Sequence, residues 1–172
     1  MVRVGVLTLG AAAAAFSVGI LSSCGGNEGV KEKTMTSTQR PEAVMSEQRL
    51  EANKRTVLAF YNAALTRLNV DEAVSYFGPV FINHNPRAED GVEGFRALLL
   101  GVKTQFPGLR IDVKRVFAEG DFVMLHVHLK LQPEELGLAI VEIFRLEHGK
   151  IVEHWDVRQP MPDKSLNANG MF

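Results

Sequence analysis

His126 and His128 lie two residues apart in the apolar stretch Phe122–Leu131. On a strand both would project from one face, leaving Val123, Leu125, Val127, Leu129 and Leu131 to the other. The same spacing puts Glu142 and Phe144 on one face of a second stretch, and His154 and Asp156 on one face of a third, with Trp155 opposite. An imidazole takes or gives a proton near neutral pH, and a carboxylate held by it can act as general base or as orienter. Such groups are rarely buried unless paired, so their gathering on otherwise apolar strands predicts a polar-lined cavity built for acid–base chemistry. A plainer alternative makes Lys130, Glu142 and the histidines the solvated outer face of an antiparallel sheet. A third joins His126, His128, His154 and a carboxylate around a divalent ion. No motif of fixed ligand spacing supports that third reading, and no metal is expected.

Those groups need strands to present them, and the hydrophobic period supplies strands only in the second half of the chain. Leu50, Val57, Leu58, Phe60, Tyr61, Ala64, Leu65 and Leu68 recur at three- and four-residue spacing, which predicts a helix from about Ser46 to Leu68. A shorter helix is predicted over Val70–Phe77, with Asn69 as N-cap and Glu72 three residues on, stopped by Gly78-Pro79. A third starts at the Asp90/Glu93 pair and runs to Phe106, before Pro107-Gly108. Beyond it the period becomes alternating and β-branched residues concentrate. Strands are predicted over Leu109–Phe117, Phe122–Leu131, Leu138–Leu146 and Lys150–Gln159, turning at Glu119-Gly120-Asp121 and His148-Gly149, with a brief strand near Val80–His84. The layout is α+β: three N-terminal helices packed on a curved, mainly antiparallel sheet. Asn83-His84-Asn85-Pro86 adds two amides and an imidazole to the same end, although turn formation alone accounts for Asn-Pro.

The chain begins Met1-Val2-Arg3 and continues with an apolar, alanine-rich run from Val4 to Leu21, the order of a secretory signal peptide. Leu21-Ser22-Ser23-Cys24 resembles the bacterial lipobox, which implies cleavage after residue 23, lipid on Cys24 and attachment to the cell envelope, at the periplasmic face of a membrane or the cell surface. Cys24 is the single cysteine of the chain. The alternative is an uncleaved membrane-spanning helix, for which the apolar run is at the lower edge of length. Residues 24–45 are polar and read as a flexible tether, leaving 46–172 as one domain. The formal net charge of −1 offers no basic field for nucleic acid.

Several segments together resemble the SnoaL-like branch of the nuclear-transport-factor-2-like (NTF2-like) superfamily: Ile82-Asn83-His84-Asn85-Pro86, Asp90-Gly91 before a helix with Phe95, His126-Val127-His128, Ile143-Phe144-Arg145, Gly149 through Val157, and the tail Asn167 to Phe172. The resemblance implies a cone-shaped α+β barrel with a deep apolar pocket, often a homodimer through the outer sheet face. It implies ring closure by aldol condensation without a cofactor, or a related isomerase-type proton transfer, on a small apolar or carbonyl-containing ligand. A pocket Asp, matched here by Asp156, would be acid and base, and His126 or His128 would assist. His154 and Glu142 complete the candidate catalytic set, and His84, Asn85, Tyr61, Phe144 and Trp155 are candidate ligand contacts. The superfamily also holds non-catalytic binding domains, so an envelope-anchored binding module is the competing expectation. The lipid anchor favours that alternative, because polyketide ring closure is ordinarily cytoplasmic.

Overall fold

The apolar stripe containing Val57, Phe60 and Tyr61 is buried along α1 (Gln39–Tyr61) in the computed structural model, which describes residues 39–172. The signal peptide, Cys24 and the tether as far as residue 38 lie outside the described residues. Helix α1 starts before the expected Ser46: Pro41 falls in its first turn, where a missing N–H costs nothing, and residues 43–49 are a solvated extension. Its C-terminal end widens into a π-helical turn, Asn62–Thr66, in which Arg67 N–H donates to the Asn62 carbonyl at 2.9 Å. Single π turns of this kind occur often at functional sites, and Tyr61 stands at its entrance.

Helix α2 spans only Val70–Val74, capped as expected by the Asn69 side chain, which accepts from Glu72 N–H at 3.3 Å. The expected stop at Gly78-Pro79 is instead the interior of strand β1 (Phe77–Asn83). Pro79 is tolerated there because β1 is an edge strand with one neighbour, and its pairing is irregular between Phe77 and Ile82. Helix α3 (Gly91–Gln105) begins where Asp90 Oδ1 accepts from Asn83 N–H at 2.7 Å and Gly91 N–H at 2.8 Å. Asp90 thus ties the end of β1 to the start of α3. Those two backbone bonds hold its carboxyl below the usual aspartate range.

Strands β2 (Arg110–Glu119), β3 (Phe122–Lys130), β4 (Leu138–Glu147) and β5 (Lys150–Pro160) form the expected antiparallel meander, and β1 adds parallel to β5. The order is β1-β5-β4-β3-β2. The five-stranded sheet is curved but open, with β1 and β2 as free edges, so the cone does not close into a barrel. Val123, Leu125, Val127 and Leu129 of β3 are buried on the inner face with Phe60, Phe95 and Leu99 from the helices, and this apolar layer is the core. The β3–β4 loop turns on Gly137, at φ +91°, where an added Cβ would lie 2.4 Å from the Leu129 carbonyl oxygen. Among the described residues no helix is long and apolar enough to cross a membrane.

Candidate functional site

Register decides which titratable groups meet. Across β3, β4 and β5, Leu125 stands opposite Glu142, Glu142 opposite Asp156, and Phe144 opposite His154. Directly opposed residues share a face, so Glu142, Phe144, His154 and Asp156 all point to the helices. His126 and His128 stand opposite Val141 and Ala139 on the other face. The expected gathering of all three strand pairs into one cavity is therefore corrected: the four apolar residues of β3 take the core side, and their period forces the histidines outward. His154 cannot share a metal ion with His126 and His128 from the opposite face of the sheet. Among the described residues no group of three or more His, Cys, Asp or Glu is placed to hold a metal.

The helices and the inner sheet face enclose a cavity of about 330 Å³. Phe60, Phe95, Leu99, Leu129 and Phe144 give it apolar walls, and Tyr61, Glu142 and His154 supply a buried polar chain. Tyr61 O–H donates to Glu142 Oε1 at 2.9 Å, and Glu142 Oε2 lies 2.6 Å from His154 Nε2. His154 Nδ1 is 3.1 Å from Asn83 Oδ1, which also accepts from Asn85 N–H. Because that amide oxygen can only accept, Nδ1 carries a proton. One further proton then lies between Nε2 and Glu142, which makes the pair either imidazolium–carboxylate or imidazole–carboxylic acid. Burial first, and then the charge and hydrogen bond of Glu142, push the Tyr61 hydroxyl well above the usual phenol range, so it remains a donor. Phe144 stacks on the imidazole, with centroids 4.9 Å apart, and fixes its plane.

Asp156 is held differently. Its Oδ2 accepts from Arg158 Nε and, at 3.1 Å, from Asn85 Nδ2. Glu142 and Asp156 are cross-strand neighbours, yet each has its own cationic or protonated partner, which keeps two like charges compatible at that spacing. Asn85 and Arg158 line the cavity, so Asp156 shapes the wall through them. Asn83 Nδ2 is buried with no partner among the described residues, an uncommon state that in native proteins often accompanies function.

Of the candidates read from the sequence, Tyr61, Asn85, Glu142, Phe144 and His154 line the cavity. His84 and Trp155 do not: they stack on each other with ring centroids 4.7 Å apart, and His84 Nε2 meets Glu153 Oε1 at 3.0 Å. Trp155 pairs with Ile143 on the outer face, so its expected ligand contact is corrected together with that of His84. His126 meets Arg115, His128 Nε2 lies 2.7 Å from the Leu136 carbonyl oxygen, and Phe172 packs against both rings. Sequence reasoning missed Arg158, which follows Asp156 by the same two-residue step that links it to His154, and Arg87, for which a loop carries no period.

Residues 55–162 match the model of the SnoaL-like polyketide cyclase family. No curated protein matches the sequence. Among solved structures the chain is similar to AclR from Streptomyces galilaeus, with 27% identity and TM-score 0.55 over 66% of this chain and 82% of that one. An NTF2-like protein of unknown function from Cytophaga hutchinsonii is similar at 22% identity and TM-score 0.53, over 63% and 90% of the two chains. An M. tuberculosis LEH-like epoxide hydrolase is similar at 20% identity and TM-score 0.54, over 64% and 85%. The last two likenesses are of fold.

Proposed function

The chain belongs to the SnoaL-like polyketide cyclase family, and on that premise we propose that its apolar cavity takes a small carbonyl-containing molecule and moves a proton on it without a cofactor. The observation that carries this reading is the chain Tyr61–Glu142–His154, a carboxylate, an imidazole and a hydroxyl bonded in series inside apolar walls. In the imidazolium form Glu142 is an ionised base in a low-dielectric site. It takes the proton from the carbon beside a carbonyl, and the C–H electron pair passes to the carbonyl oxygen as an enolate. Tyr61 O–H, losing its carboxylate acceptor as Glu142 is protonated, donates to that oxygen. Return of the proton to carbon gives isomerisation, and attack of the enolate on a second carbonyl gives aldol ring closure.

The test is proton NMR of 1-tetralone in deuterium oxide with the chain present. Loss of the signal from the protons beside the carbonyl should be catalysed by the wild type, and Glu142→Gln should slow it by about 10²–10⁴-fold, the usual contribution of a general base. Exchange that survives Glu142→Gln but disappears in Asp156→Asn would return the base to Asp156.

A binding module is the second reading. It is favoured by the saturation of the polar chain, since both Glu142 oxygens and both His154 nitrogens already have partners. It predicts that tetralone binds without exchange. Lipidation of Cys24 and display at the envelope belong to either reading. A Cys24→Ser chain should then incorporate no labelled palmitate and leave the membrane fraction.

We further infer a homodimer through the outer sheet face, where Phe117, Met124, Ile82 and Val157 are exposed, Val157 by 69%. Exposed apolar side chains gathered on one sheet face favour a protein contact there. Sedimentation of Val157→Lys as a monomer beside a dimeric wild type would support it, and a monomeric wild type would end it.

A further inference from the structure

The side chains lining the cavity that can carry charge are Tyr61, Arg87, Glu142, His154 and Arg158. Tyr61 is held neutral by burial and by Glu142. Glu142 and His154 share one proton and sum to zero in either form. Arg158 is paired with the Asp156 carboxylate. The remaining charge is the guanidinium of Arg87, which is exposed and, among the described residues, has no carboxylate within ion-pair distance.

Arg87 is not on a free loop. Its N–H donates to Asn85 Oδ1 at 2.8 Å, and Asn85 is buried and bonded through Nδ2 to Asp156. The backbone bearing the cation is thus fixed to the inner wall, with the exposed Gln105 amide also in the lining. An apolar cavity carrying one uncompensated cation among its exposed lining residues concentrates molecules of opposite sign, because low-dielectric walls focus its field.

We propose that the ligand is an amphipathic anion: an apolar body fills the cavity, and a carboxylate or comparable acid group meets Arg87. This rests on the reading of the cavity as a ligand site and adds the charge of what enters it. Arg87 is a specificity residue in this arrangement, and the proton-transfer chain is left to the carbonyl end of the molecule.

Isothermal titration calorimetry of the full chain with 2-naphthoate and its neutral isostere 2-naphthamide tests the charge preference. The wild type should bind naphthoate about fivefold more tightly, the scale of one exposed ion pair. Arg87→Gln should erase that preference by weakening naphthoate more than naphthamide, Arg87→Lys should keep most of it, and raising the salt concentration should shrink it. Equal affinity of the wild type for both probes, or a preference that persists in Arg87→Gln, would overturn the proposal while the cavity stands as a ligand site. Failure of both probes to bind would overturn the cavity reading and this inference with it.

Discussion

On the inner face of the sheet the His154 and Glu142 side chains are 5% and 6% exposed and bonded to each other. On the outer face His126 and His128 are half-buried, and their partners are Arg115, a loop carbonyl and the ring of Phe172. The residue types are alike, and the environment separates them. Inside, a lost partner cannot be replaced by water, so each titratable group is bonded to a fixed one. Outside, water stands in, and the contacts add little. Two-residue spacing of titratable groups therefore locates strand faces, but burial with exclusive pairing is what singles out the site.

The largest effect that would sharpen this contrast comes from Glu142→Ala. It leaves the Tyr61 hydroxyl and His154 Nε2 buried without partners, and breaking a buried pair from one side costs about 3–5 kcal/mol. Urea denaturation checks it. Glu142→Gln should stay within about 1 kcal/mol of wild type, because its amide can accept from Tyr61 and donate to an Nε2 that has lost its proton. A loss for Glu142→Ala as small as that for an outer-face histidine would erase the distinction between the two faces.

A smaller effect sits at the sheet margin, where Glu153 bonds to His84 and Arg145. His84 first and Arg145 second hold its carboxyl below the ordinary 4.5. A carboxyl lowered on folding contributes stability that is present above its unfolded value and is lost as pH falls through its folded value. Melting temperature should therefore decline below about pH 4.5, and Glu153→Gln should lower it at neutral pH, where that contribution is present, and flatten the acid decline. An unaltered acid limb in the variant would place the lost stability elsewhere.

What the sequence made legible was local. Asn69 and Glu72 announce the cap of α2, and the four strands of the meander lie within a residue or two of their alternating patterns. That Glu142 and Phe144 share a face, and His154 and Asp156 likewise, follows from the strand period alone. Which strand face meets which is set by pairing register, a long-range property, and so His126 and His128 could not be assigned a side by spacing. Gly78-Pro79 read as a helix stop because local chemistry cannot tell an edge strand from a turn, and only the pairing of β1 with β5 separates them. Asn85 and Arg87 reach the cavity through a loop held by side-chain bonds, where no period exists to be read.

The smallest expected effect tests the outer face directly. The Phe172 ring centroid is 5.2 Å from that of His126 and 4.8 Å from that of His128, and Lys114 Nζ stands 5.3 Å from it. All four side chains reach water, so removing the ring returns each partner to solvent and leaves no orphaned donor. Deletion of Phe172 should cost less than about 1 kcal/mol, and His126→Ala about as little. Urea midpoints at unchanged denaturant slope would measure both. A loss from either matching that of Glu142→Ala would mean that the C-terminal segment closes a second buried cluster, in which the outer histidines depend on their partners no less than His154 does. A small loss keeps the acid–base chemistry on the inner face, where the carboxylate and imidazole are confined to one proton between them.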